Sequence, residues 1–366
     1  MHFQAEAKEL YRAVSFVERG AQRKASNETK KLMRLSVHGD TLSLSSYHDS
    51  VHFVSSVPVI GMQDGVTFVH ANRFRLMMKN KVSKKDDVNF SVNQVAQTLE
   101  ATDSRNIASN TRIMDAQDFN PPPNYGELHW VTVSSAEVAE AFKTFECFLG
   151  RQQLKVPYSK VFISNTEKGL LITAGNGTGF MRQFVPGSLI STRGHRFTLP
   201  SRLLHRIGKA MSETEKCQRA VSGPNILLQL PLGRIIIETK DAEYPNVNSF
   251  FSGPPNKPRS YATFDRNGLL QLSKEFQSLE LDIGEKKALV GPVGSPKDRQ
   301  LRVHDFRGEP FMVRLDGYEL MLYLSSLHEA NFVSMSTSIG HKWVTMSDPT
   351  DRFSKYVQIL AGKNSE

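Results

Sequence analysis

Two stretches of the chain, FVHANRFRLMMKN at Phe68 to Asn80 and FTLPSRLLHRIGKAM at Phe197 to Met211, each read as the end of a strand running directly into a helix. A chain that repeats an element folds by repeating a unit, which narrows the possible architectures more than composition does. At about 100° per residue, Arg202, Arg206 and Lys209 fall on one stripe of the second helix. Leu203, Leu204, Ile207, Ala210 and Met211 gather opposite. One face suits a core and the other offers positive charge.

Two Pro-rich breaks, FNPPPNYGELHW from Phe119 and FSGPPNKPRSY from Phe251, cut the chain into thirds of similar length. Each third opens with a short strand and an amphipathic helix: FQAEAKELYRAVSFV from Phe3, VTVSSAEVAEAFKTFECFL from Val131 and ATFDRNGLLQLSKEFQSL from Ala262. Ser134 and Asp265 are the expected N-caps of the second and third of these. Each third later supplies another helix, from Phe68, from Phe197, and within FMVRLDGYELMLYLSSL from Phe311. Alternating strand runs fill the rest, among them DTLSLSSYHDSVHFVSSVPV, GLLITAGNGTGFMRQFVPG and NILLQLPLGRIIIETK. The pattern predicts an α+β chain of three repeated domains at 1–126, 127–254 and 255–366, each with two helices packed on antiparallel sheets.

Composition bounds the function. The 366 residues hold 46 Lys and Arg against 37 Asp and Glu, and the net charge of +9 favours a polyanionic partner such as nucleic acid or an anionic membrane surface. Cys147 and Cys217, in no metal-ligand spacing, argue for a reducing compartment. The opening MHFQAEAKELYRAVSFVERG carries acids within an amphipathic pattern rather than the apolar run of a signal peptide. No apolar run reaches the length of a membrane span, so a cytoplasmic protein is expected. GNGTGF lacks the GxGxxG spacing and following helix of a phosphate loop, and the eleven histidines form no HExxH or Cys/His ligand set. No catalytic residue, metal or cofactor is expected.

The order of short phrases resembles the bacterial DNA polymerase III beta sliding clamp family over nearly the whole chain. The phrases are the MxFxxxxxxL-type opening at Met1 to Leu10, TLSL at Thr41, the helix start at Ala71, DAQDF at Asp115, TLP at Thr198 and EYP at Glu243. The resemblance implies a non-enzymatic processivity factor whose chain forms half of a ring, closed head to tail as a homodimer around duplex DNA with helices inside. The non-core helix faces would then meet phosphates without reading sequence. Lys8, Arg12 and Arg19 lie within about 40° of one another on the first helix, and Arg202, Arg206 and Lys209 form the matching stripe. Arg73, Lys274 and the loop residue Lys24 complete the expected DNA contacts. Arg73, Arg75, Lys79 and Lys81 are scattered around their helix, Lys143 shares its face with Glu140, Lys274 stands with Asn267, Gln271 and Ser278, and the helix from Gly317 carries no Lys or Arg.

The same resemblance implies an apolar pocket for short linear peptides of a polymerase and clamp loader. The matching positions are Tyr158, Gly175, Gly177, Thr178, Phe180, Pro245, Phe250, Val357 and Ile359. Where the family has TDGHRLA this chain has GNGTGFM, whose Asn and Gly cluster also suits a plain hairpin turn. The basic balance and the polar residues Ser109 to Thr111 at an expected subunit edge, with Glu280 beside Leu279 on the other, also depart from the family. Two alternatives stand beside the clamp: a nucleic-acid-acting enzyme such as a nuclease, and a clamp-fold adaptor that forms no ring.

Overall fold

The computed structural model describes residues 1–23, 25–82, 87–149, 160–175, 179–187, 190–192, 194–239, 259–327, 330–338, 343–349 and 356–360. They form an α+β chain with six α-helices and antiparallel strand pairing throughout, in two compact units. The first unit comprises Met1–Ser135 with Ala210–Thr239, and the second Ala136–Lys209 with Lys240–Glu366.

In the first unit the elements are β1 (His2–Glu6), α1 (Ala7–Glu18), β2 (Leu32–His38), β3 (Thr41–His48), β4 (Val51–Pro58), β5 (Ile60–Gln63), β6 (Gly65–His70) and α2 (Ala71–Val82). There follow β7 (Asp87–Asn93), β8 (Thr98–Asp103), β9 (Ala108–Arg112) and β10 (Val131–Ser134), then β15 (Lys216–Ser222), β16 (Asn225–Leu230) and β17 (Gly233–Glu238). They build one sheet in the order β5-β1-β7-β8-β9 and another in the order β10-β15-β16-β17-β4-β3-β2-β6.

The second unit holds α3 (Ala136–Leu149), β11 (Lys160–Asn165), β12 (Gly169–Gly175), β13 (Gly179–Pro186), β14 (Arg196–Pro200) and α4 (Ser201–Met211) up to Lys209. Its later elements are β18 (Arg259–Asp265), α5 (Arg266–Glu275), β19 (Ser278–Ile283), β20 (Lys287–Pro292), β21 (Arg299–Arg307) and β22 (Phe311–Asp316). The last are α6 (Gly317–Ser326), β23 (Phe332–Ser338), β24 (Trp343–Ser347) and β25 (Tyr356–Leu360). One sheet contains all its strands: β14-β11-β12-β13-β25-β24-β23-β18-β21-β20-β19-β22.

Every one of the six helices follows a strand with at most one residue between. The strand before the first helix of each pair meets the strand after the second: β1 with β7, β10 with β15, β18 with β23. The strand after the first helix meets the strand before the second: β2 with β6, β11 with β14, β19 with β22. Two long-range pairings, β4 with β17 and β13 with β25, splice these sets into larger sheets. Among the described residues the outer edge of β9 has no strand partner, and residues 299–302 of β21 pair only with β20.

Local sequence explains the junctions. On α1 the buried Leu10, Ala13, Val14 and Val17 recur at helical spacing while Lys8 and Arg12 stay exposed. Phe16 meets Phe53 of β4 with ring centroids 5.5 Å apart. Just past the C-cap of α1, at Gly20, a Cβ would stand 2.2 Å from Ser46 Oγ, so only glycine lets the chain turn this close to β3. Asp265 caps α5, its carboxylate accepting from the Gly268 N–H at 2.6 Å, as the sequence predicts. Asp316 caps α6 in the same way through Glu319 N at 2.9 Å. Ser134 does not cap α3: it ends β10, and Ser135 takes the position before the helix and donates its hydroxyl to the Thr214 carbonyl. Strand pairing with β15 extends one residue further than the sequence pattern implies, displacing the cap.

Candidate nucleic-acid interface and peptide pocket

The expected basic positions differ in how far they are exposed and in the partners they meet. Lys8 and Arg12 on α1, Arg73 on α2, Arg202 and Lys209 on α4, and Lys274 on α5 are exposed, and Arg206 is half-buried. Each projects from the side of its helix away from the core residues, and on α4 these are Leu203, Leu204, Ile207, Ala210 and Met211. Partial desolvation lowers the Arg202 guanidinium from its ordinary value, without bringing it near neutrality.

Arg19 departs from the stripe assigned to it. Its guanidinium pairs with Glu213 and lies 6.0 Å from the centroid of the Phe16 ring, leaving the side chain 17% exposed. Arg19 is the C-cap of α1 and keeps helical backbone angles, φ −60° and ψ −29°, so the pairing with the distant Glu213, and not a change of backbone course, sets where its guanidinium lies. The basic loop after it is likewise partnered. Arg23 donates to Glu18 at 2.7 Å and is raised by that bond, Lys30 stands 3.2 Å from Asp49, and Lys31 pairs with Glu28. Lys24 lies outside the described residues. Arg75 approaches Glu18 at 3.8 Å, and Lys143 approaches Glu140 at 3.5 Å. Lys81 is buried, donating to the Ile107 carbonyl at 2.5 Å and standing 3.3 Å from Asp103, so it ties α2 to the β8–β9 turn.

Of the pocket positions, Tyr158, Gly177, Thr178, Pro245 and Phe250 lie outside the described residues, as do the side chains of Val357 and Ile359. The backbone brings the other four together, since Gly175 pairs with Phe180 across the β12–β13 hairpin and β25 joins the far side of β13. Register then separates them. Val357 is opposite Met181 and Ile359 opposite Gly179, whereas Phe180 is opposite Gln358. Successive residues of a strand alternate faces, so Phe180 is one step out of phase with Val357 and Ile359. Phe180 is itself buried, at 9% exposure.

The expected polar subunit edge is half corrected. Ser109 to Thr111 do lie on the open strand β9. Leu279 and Glu280 lie on β19, which is flanked by β20 and β22, so they form no edge. Glu280 is buried and paired with Lys297 at 2.9 Å and Arg314 at 2.6 Å, which hold its carboxyl below the usual range. Nothing in local periodicity signalled those partners. Among the described residues no group of three His, Cys, Asp or Glu could hold a metal ion, and no helix is long and apolar enough to cross a membrane.

Helix pairs, each entered from a strand, with sheets spliced end to end define the clamp class of α+β folds. The chain has the fold of the bacterial DNA polymerase III beta sliding clamps, as a divergent example. The Pseudomonas aeruginosa DNA polymerase III subunit beta superposes with a TM-score of 0.82 at 14% identity, over 99% of this chain and 100% of that one. The Caulobacter crescentus pol III beta gives 0.83 at 16% identity, covering 99% and 100%. The Bacillus subtilis DNA polymerase sliding clamp gives 0.83 at 14% identity, covering 100% and 99%. No protein-family model matches the sequence, and no curated protein matches it.

Proposed function

We propose that the protein is a DNA sliding clamp: three domains of one fold, at 1–126, 127–254 and 255–366, form half of a ring that two chains close head to tail around duplex DNA. The observation that carries this reading is the splice pattern. β4 takes β17 on its outer edge and β13 takes β25, while among the described residues β9 and residues 299–302 of β21 are left with matching open edges. A second copy offers β21 to β9 and β9 to β21, so two chains use up every such edge, as closed cyclic symmetry requires. The whole-length likeness to solved clamps supports the same reading. Lys8, Arg12, Arg73, Arg202, Arg206, Lys209 and Lys274 then face the phosphates of the enclosed duplex, with no sequence preference. Polymerase and loader peptides dock near β13 and β25, and the ring acts in the cytoplasm as a platform rather than as an enzyme.

The test is retention on DNA. A ring loaded on a nicked circular plasmid stays bound through gel filtration in high salt and slides off once the plasmid is linearised. Equal loss from circle and line refutes the ring. Cutting of the plasmid in the presence of magnesium would establish a nuclease instead. The polar edge Ser109, Asn110 and Thr111 specifically favours one second reading, a clamp-fold adaptor that stays a single chain.

A further inference from the structure

On the sheet face opposite α1, the Pro-rich segment after Phe119 roofs a cleft of about 670 Å3 lined by Arg34, Val54, Pro122, Tyr125, Gln229 and Arg234. Phe53 packs on α1, so its neighbour Val54 points the other way, and strand register extends that face: Arg34 is opposite Ser45, Ser45 opposite Val54, and Val54 opposite Arg234. The two arginines thus stand on one rung, three strand steps or roughly 14 Å apart at the backbone. Their side chains are long enough to converge over Val54.

Neither guanidinium meets a carboxylate among the described residues. Arg234 spends one N–H on Gln229 Oε1 at 3.1 Å and stacks near Trp130 at 5.2 Å, while both arginines are lowered from the ordinary value by desolvation alone or chiefly so. The Tyr125 hydroxyl is buried with no hydrogen-bond partner. A nearby acid, Glu238, is already engaged by His52 at 2.9 Å and Asn120 at 3.5 Å. Desolvated cations and an orphan donor beside an apolar Pro and Val wall are the complement of a chain that carries carboxylates and small apolar groups.

We propose that this cleft is a second docking site, which takes an extended acidic peptide segment of a partner protein, with carboxylates on Arg34 and Arg234 and an acceptor on the Tyr125 hydroxyl. A nucleic acid fits less well, because a phosphate track needs a run of cations and the rung supplies two. The site lies wholly within the first compact unit, so it stands whether or not the ring closes.

The test uses the full chain and a fluorescein-labelled octapeptide of alternating Asp and Leu, with the Asn-for-Asp peptide and an oligothymidylate as comparators. The Asp peptide should bind, and Arg34→Gln or Arg234→Gln should each weaken it about tenfold or more, as loss of a charge-assisted pair does. Tyr125→Phe, which removes only the orphan hydroxyl, should weaken binding without lowering Tm. Equal binding of the Asn peptide, or an affinity for the Asp peptide unchanged in folded Arg34→Gln and Arg234→Gln, overturns the proposal. Oligothymidylate binding that is lost in those variants, with no Asp peptide bound, makes the cleft a nucleic-acid site and overturns it too.

Discussion

At the scale of single residues, what matters is which charges are already spoken for. Lys81 and Asp103 are both buried, at 3% and 2% side-chain exposure, and their pair fixes the end of α2 against the β8–β9 turn. Burial acts to raise Asp103, but hydrogen bonds from the Ile107 and Arg105 N–H groups and from Lys81 outweigh it and hold the carboxyl below its usual range. A carboxyl depressed in the folded state binds fewer protons there than when unfolded, so its stabilisation is present above the ordinary value of 3.8 and lost as pH falls through the folded value. Lys81→Met strips the ammonium and leaves a buried carboxylate. Its Tm should fall by about 5–10 °C at neutral pH, and the deficit should narrow as pH drops below 4 and Asp103 protonates. A deficit that is constant with pH in calorimetry would mean that Lys81 acts by packing alone.

At the scale of elements, α4 is the cleanest case of a helix divided between core and solvent. If its stripe faces duplex DNA, each phosphate neutralised contributes about −0.9 to the slope of log affinity against log salt. Replacing Arg202, Arg206 and Lys209 with Ser should flatten that slope by up to about 2.7 per subunit and hardly alter Tm, since Leu203, Leu204 and Ile207 are untouched. An unchanged slope assigns the stripe to ordinary solvated surface. The β13–β25 ladder carries a different expectation. Phe180 pairs with Gln358 and is one step out of register with Val357 and Ile359, and it is buried. Phe180→Asp places a charge at a buried site, and it should cost stability as well as peptide capture. Full peptide affinity in a variant of unaltered Tm would exclude Phe180 from the site.

At the scale of the whole molecule, the open edges of β9 and β21 make a definite mass the expectation. In light scattering at micromolar concentration the protein should run at twice its chain mass of 41.1 kDa. A single-chain mass at every concentration would leave the edges unpaired and support the adaptor reading. The polar edge matters here, because Ser109, Asn110 and Thr111 supply backbone pairing but little apolar burial, and the dimer should therefore dissociate more readily than one joined by an apolar seam.

The sequence by itself determined the elements and their order. The 3.6-residue period of α1 and α4, the caps at Asp265 and the Pro-rich breaks are local, and local signals specify where a helix begins and which side it buries. The exposed cations Lys8, Arg12, Arg202 and Lys209 were legible for the same reason. Tertiary structure alone decided what meets what. Arg19 is 194 residues from Glu213, and no local pattern contains that partner. The register that sets Gln358 opposite Phe180, the burial of Glu280 between β20 and β22, and the rung that aligns Arg34 with Arg234 all follow from pairings between distant strands. A strand's period states which of its residues share a face, but its neighbour is chosen by the packing of the whole sheet.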